Sequence, residues 1–99
     1  MPAYFVALRD SMISLEEFRI YEGMVASTFS GHEVRVHAAY GPMSMLEGEP
    51  IEGAVILEFP SVDRARAWYE GPAYLDALQH RLKAAKYRTF IVDGVPLVP

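Results

Sequence analysis

The sequence predicts an α+β fold: a four-stranded antiparallel sheet with its helices gathered on one face. Three observations lead there. Four short segments are enriched in β-branched and aromatic residues. One capped amphipathic segment separates the first from the second, and another separates the third from the fourth. Between the second and third lies only a run punctuated by Gly41, Pro42, Gly48 and Pro50, which suits a loop or hairpin end. The order is therefore β-α-β-β-α-β, and right-handed crossovers turn it into the ferredoxin-like arrangement.

Ala3 to Arg9 is nearly continuous in apolarity and reads as a strand buried on both faces. Ser14-Leu15-Glu16-Glu17 is a capping box, with the Ser14 hydroxyl accepting from the Glu17 backbone and the Glu17 carboxylate reaching back. Leu15, Phe18, Tyr21, Val25 and Thr28 then share a helical face, and Gly31 stands where the helix needs a left-handed stop. Glu33 to Tyr40 alternates, with Val34, Val36 and Ala38 on one side and Glu33, Arg35, His37 and Ala39 on the other. Gly41 to Glu52 is the connecting loop, and Gly53 to Phe59 is a second strand buried on both faces, interrupted only by Glu58.

Ser61 caps the next helix, whose inner face carries Val62, Ala65, Trp68 and Tyr69. Gly71-Pro72 breaks it and starts another, because the residue before a proline avoids the helical region whereas proline suits a first turn. Leu75, Leu78 and Leu82 are expected to continue the apolar stripe. Arg88 to Asp93 is the last strand, closed by Gly94, and Val95 to Pro99 is an apolar tail expected to pack on a partner subunit. Helices on one face leave the other face bare, yet the first and third strands are apolar on both. A second identical sheet is the simplest cover, so a homodimer is expected.

Ninety-nine residues, of which 52% are hydrophobic, make one domain spanning 1–99. The absence of cysteine excludes disulfides, a thiolate nucleophile and thiolate metal sites, and fits a cytoplasmic protein. The N-terminus lacks the pattern of a secretion signal, and no apolar run approaches the roughly 20 residues that span a bilayer. A net charge of −4 argues against nucleic acid and anionic membranes as partners. The third strand also lacks the stacking aromatics of RNA-recognition modules. Glycine-rich phosphate loops and serine nucleophile elbows are missing. Three scattered histidines have no ligand spacing, so neither a metal nor a cofactor is expected.

Leu46-Glu47-Gly48, Glu58-Phe59-Pro60-Ser61, Ala65, Ala67-Trp68-Tyr69, Pro72, Tyr74, Arg81 and Gly94 carry a family resemblance. With them the chain resembles domain-of-unknown-function family 1330, within the dimeric α+β barrel superfamily. Strand two departs from that family: Gly31-His32-Glu33 leads in and His37-Ala38-Ala39-Tyr40-Gly41 leads out, where the family has glycine- and arginine-rich stretches. The resemblance implies a ferredoxin-like fold and a dimer, but no established reaction.

Two groups of residues carry potential chemistry. If strands two and three form a hairpin, Glu58 comes opposite Arg35, with His37 two residues along. Glu58 is a carboxylate where the pattern calls for a hydrophobe. It would act as a general base with His37, beside an anion-binding Arg35, or it would close the sheet edge or dimer seam as an ion pair. Trp68, Tyr69 and Tyr74 form the second group. Trp68 is expected to pack the core, while the tyrosines either line a pocket with polar anchors or hold the helix break. Of the other histidines, His32 reads as solvated, whereas His80, Arg81, Lys83 and Lys86 sit near a helix C-terminus where cations suit the dipole.

Three functional readings follow. The first is a homodimer binding a small organic ligand in a pocket near the sheet and dimer seam, lined by Tyr4, His37, Glu58, Trp68 and Tyr69. The second is a cofactor-independent enzyme, monooxygenase- or isomerase-like, using Glu58. The third is a structural dimer without a ligand.

Overall fold

β1 (Ala3–Met12) is an inner strand of the sheet, pairing antiparallel with β3 (Gly53–Phe59) on one side and β4 (Ala85–Asp93) on the other. β2 (Arg35–Ala39) adds to the far edge of β3, giving the order β2-β3-β1-β4. α1 (Leu15–Val25), extended by a 3-10 turn at Ala26–Phe29, links β1 to β2, while α2 (Val62–Tyr69) and α3 (Pro72–Ala84) link β3 to β4. The computed structural model describes residues 1–96, so residues 97–99 of the predicted apolar tail lie outside it. The α+β, ferredoxin-like prediction holds, with a helical break at Gly71 as the sequence implied.

Alternation along β1 separates two environments. Ala3, Phe5 and Ala7 are buried and face the helices, together with Leu57 and Phe59 of β3. Tyr4, Val6 and Leu8 face the other way, opposite Glu58, Ile56 and Ala54 on β3 and Val92, Phe90 and Arg88 on β4. Phe90 and Val92 are about half exposed, at 49% and 46%, so this second face is apolar and uncovered by the chain itself.

Several local expectations change. β1 passes through an irregularity after Arg9 and runs to Met12, because β4 starts at Ala85, directly after α3, and supplies pairing partners for Ser11 and Met12. The Ala84 carbonyl accepts from both Ile13 and Ser14 at 2.7 and 2.8 Å, tying this junction together. β2 is shorter than the alternating stretch, and its register shifts between Val36 and Ala38. Val36 and Ala39 therefore lie opposite Leu57 and Val55 on the helix side, whereas Ala38 moves to the face of Ile56. Only half the capping box forms. Ser14 Oγ accepts from the Glu17 N–H at 3.2 Å, but the Glu17 carboxylate pairs with His80 Nδ1 at 2.7 Å.

The expected leucine stripe on α3 holds only at Leu78, which is partly buried against the core. Leu75 and Leu82 are 45% and 65% exposed, and the inward positions are Tyr74, Ala77, Arg81 and Ala84. These keep helical spacing, displaced by one residue from the leucines. Leu15 is likewise outside, whereas Phe18, Tyr21 and Thr28 are buried. The interior is aromatic, so alanines fit between rings where leucines would crowd them.

Candidate functional site

The sheet itself divides the predicted site. Tyr4, Arg35, His37 and Glu58 gather on the helix-free face, and Trp68, Tyr69 and Tyr74 lie beneath the helices on the opposite face. A single pocket shared by Tyr4, His37, Glu58, Trp68 and Tyr69 is therefore excluded. Adjacent strand residues point to opposite faces, and Tyr4 neighbours the inward Phe5.

On the helix-free face Arg35 lies opposite Glu58 in the β2–β3 ladder, as the hairpin register predicts. The shift at His37 swings its ring toward the carboxylate, and His37 Nε2 lies 2.7 Å from Glu58 Oε1. The Tyr4 ring stands 6.1 Å from the imidazole. Both partners keep solvent access, with side chains 38% and 30% exposed. Glu58 thus avoids the cost of a lone buried carboxylate. An open groove runs past Pro2, Tyr4, Arg35, Glu58 and Pro60.

Under the helices is a narrower space. A cavity of about 120 Å³ lies between β1, β3 and the helices, walled by Phe5, Leu57, Val25, Phe29 and Trp68. Val36 and Ala39 of β2 line it and are exposed, so it opens toward that edge. Trp68 is 1% exposed, and its indole N–H donates to Thr28 Oγ1 at 3.0 Å. That bond holds the ring at a fixed angle against Phe5, Phe29 and Tyr74.

Polar side chains line or adjoin this cavity. Arg81, 3% exposed, donates from Nη2 to the Tyr69 hydroxyl at 3.2 Å, and its guanidinium lies 4.7 Å from the Tyr87 ring centroid. The Tyr21 and Tyr74 hydroxyls pair at 2.8 Å, and those of Tyr40 and Tyr87 at 2.6 Å. Burial, reinforced by Tyr74, pushes the Tyr21 phenol far above its ordinary pKa. Burial does the same to Tyr40, with Tyr87 adding to it. Tyr74 is raised by burial too, although the nearby Arg81 charge pulls it back. All three phenols are therefore neutral at physiological pH.

Tyr40 also has φ 59°, the sole non-glycine in the left-handed region among the described residues. This conformation costs about 1–2 kcal/mol and persists only where surroundings impose it. Here the Tyr40 N–H donates to the Ala54 carbonyl at 2.9 Å, and its ring sits edge-on to Phe18. Tyr21, Tyr40, Arg81 and Tyr87 were not singled out from the sequence as site residues. For Arg81 the signal was present, in the Tyr74, Ala77, Arg81, Ala84 spacing, but a helix-dipole role hid it.

The chain belongs to the family described as Domain of unknown function (DUF1330), whose profile matches residues 2–95. No curated protein matches its sequence. Among solved structures it resembles a protein of unknown function from Rhodopseudomonas palustris, at 23% identity and TM-score 0.72, covering 99% of this chain and 84% of that one. It also resembles a dimeric ferredoxin-like protein of unknown function from Thermobifida fusca, at 13% identity and TM-score 0.63, covering 94% and 91%. A third is SnoaB, a cofactor-independent oxygenase from Streptomyces nogalater, at 13% identity and TM-score 0.60, covering 99% and 97%. At these identities the likeness extends to the fold.

Proposed function

We propose that this DUF1330 protein is a cytoplasmic homodimer that binds a small organic ligand in the cavity between its sheet and helices. The observation that carries the reading is the cavity: an apolar, aromatic-walled space with a few fixed polar side chains in its lining, the composition typical of small-molecule sites. The absence of cysteine supports the compartment, and the acidic charge leaves nucleic acid and membranes out of the reading. The homodimer rests on the bare face of Val6, Ile56, Phe90 and Val92, and on the dimeric description of a structural neighbour.

Benzene is a suitable first probe, because an apolar cavity of about 150 Å³ is known to stay dry and bind it. Binding should perturb the emission of Trp68, the chain's single tryptophan, and Ala7→Leu, which fills the space, should abolish the effect. A folded wild-type protein whose emission ignores saturating benzene, and also benzoate, benzamide and benzylammonium, would sink the ligand reading. Sedimentation tests the dimer separately: wild type should run as a dimer at micromolar concentration, and Phe90→Glu as a folded monomer. A monomeric wild type removes that part.

A second reading, the cofactor-independent enzyme, is favoured by the His37–Glu58 contact beside Arg35 and Tyr4. Its substrate would sit in the groove on the helix-free face, since the dyad cannot touch a molecule in the cavity of its own protomer. An exposed pair of this kind contributes only about 0–1 kcal/mol to stability, so Glu58→Gln should leave the melting temperature nearly unchanged. Loss of turnover in that variant carries the enzymatic reading, and a dyad whose removal affects neither turnover nor melting leaves the surface ion pair as its role.

A further inference from the structure

Two arginines enter the helix-side interior, and they are treated differently. Arg9 Nε lies 3.2 Å from Glu52 Oε1, so its charge has a counter-ion even though the geometry falls short of a hydrogen bond. Arg81 is 3% exposed, and among the described residues no carboxylate comes within ion-pair distance of it. Its surroundings offer the Tyr69 hydroxyl, the nearby Tyr74 hydroxyl and one aromatic face, all neutral, and its Nε–H has no hydrogen-bond partner. A guanidinium cannot shed its proton to escape burial, so an uncompensated one is costly. The neighbouring Tyr21 and Tyr74 phenols remain protonated and supply no negative charge.

We propose that the cavity takes a small aromatic carboxylate, its acid group against the Arg81 guanidinium and its ring between Phe5, Leu57 and Trp68. The inference rests on the cavity being a ligand site and names the class of ligand. Size sets one limit: about 120 Å³ is of the same order as the roughly 150 Å³ cavity that binds benzene, so the ligand is no larger than one six-membered ring with its acid group, any overhang lying toward the open edge at Val36 and Ala39. Chemistry sets the other. An inorganic anion would meet the charge and leave the aromatic walls uncovered, whereas a plain hydrocarbon would do the reverse. An aryl or short unsaturated carboxylate satisfies both, and the guanidinium fork matches a planar carboxylate with parallel hydrogen bonds.

Trp68 emission is titrated with benzoate, neutral benzamide and cationic benzylammonium. Benzoate should bind about ten- to hundredfold more tightly than benzamide, the factor expected of a charge-assisted hydrogen bond, and benzylammonium should not bind. In Arg81→Met that preference should vanish while benzamide binding survives. Should this variant fail to fold, Arg81→Lys keeps the charge without the fork and should retain only part of the preference. The wild-type comparison stands without either variant. Equal affinity for benzoate and benzamide, or equal loss of both in folded Arg81→Met, overturns the anion proposal and leaves the cavity as a neutral-ligand site. Failure of benzene and all three probes overturns the ligand site itself.

Discussion

The paired hydroxyls of Tyr21 and Tyr74 allow a sharp test of how the polar groups beside the cavity are held. They meet at 2.8 Å, and the two side chains are 8% and 1% exposed, so water cannot replace a missing partner. Removing one oxygen strands the other. An unmatched buried hydroxyl costs about 1–3 kcal/mol, whereas removing both partners of such a pair is nearly neutral apart from small packing changes. Tyr21→Phe should sit at the low end, about 1 kcal/mol, because Arg81 also interacts with Tyr74 and offers it a second partner. Tyr74→Phe should cost about 2 kcal/mol, because it strands Tyr21 and takes a contact from Arg81 as well. The double variant should cost no more than Tyr74→Phe alone, a coupling of about 1 kcal/mol.

Urea unfolding followed by Trp68 emission reads these differences at one fixed protein concentration. With a slope of about 1–3 kcal/mol per molar, Tyr74→Phe should lower the midpoint by roughly 1 M, a substantial part of the about 5–15 kcal/mol expected for a domain of this size. Single costs that simply add in the double variant would refute the reasoning, for they would mean that the hydroxyls act independently. Singles within a few tenths of wild type would refute it too, since water would then be reaching the pair.

The same burial predicts an alkaline limit. Tyr21 and Tyr74 ionise in the unfolded chain near pH 10 but stay protonated in the fold, so above that pH the native state binds more protons and stability falls as pH rises. Tyr40 is raised by burial likewise, and three such groups give a slope of up to about 4 kcal/mol per pH unit, which urea midpoints measured across pH 8 to 11 would register and the double Phe variant should cut to about a third. Gly53→Ala should destabilise by about 1–3 kcal/mol, because its new Cβ would stand 2.5 Å from Tyr40 Cδ1 on a ring already fixed by Phe18 and Tyr87. Adding Tyr40→Phe should not restore the thermal midpoint, since the obstacle is a ring carbon and not the hydroxyl.

Element order and the Arg35–Glu58 pairing were legible in the sequence because they rest on strand alternation and on a hairpin-length connection. The two-sided character of β1 and β3 was legible for a different reason, their nearly unbroken apolarity. What stayed hidden depended on choices that hydrophobicity alone does not rank. On α3 three leucines suggested an inner stripe, yet Leu75 and Leu82 are exposed while Tyr74, Ala77 and Arg81 face inward. An interior built from Phe5, Phe59 and Trp68 leaves room for small residues and one long guanidinium stem, and leucine at those positions would overfill it. The irregularity at His37 left no composition signal, although it decides which side of β2 each residue serves.

That irregularity also bears on why the two groups of polar residues need not be rivals. β2 contributes to both: Val36 and Ala39 line the cavity mouth, and Arg35 and His37 flank Glu58 on the opposite face. In the proposed dimer the second face is covered by a partner sheet while the mouth stays at the edge. Movement of this short strand would then be felt on both sides. Linkage makes the consequence reciprocal: a ligand that favours one position of β2 changes dimer affinity by the same factor by which dimerisation changes ligand affinity. Sedimentation with and without saturating benzoate measures one side of that equality, and Trp68 titrations at concentrations above and below dimer dissociation measure the other. A factor of one in both measurements would show that β2 does not couple the two faces.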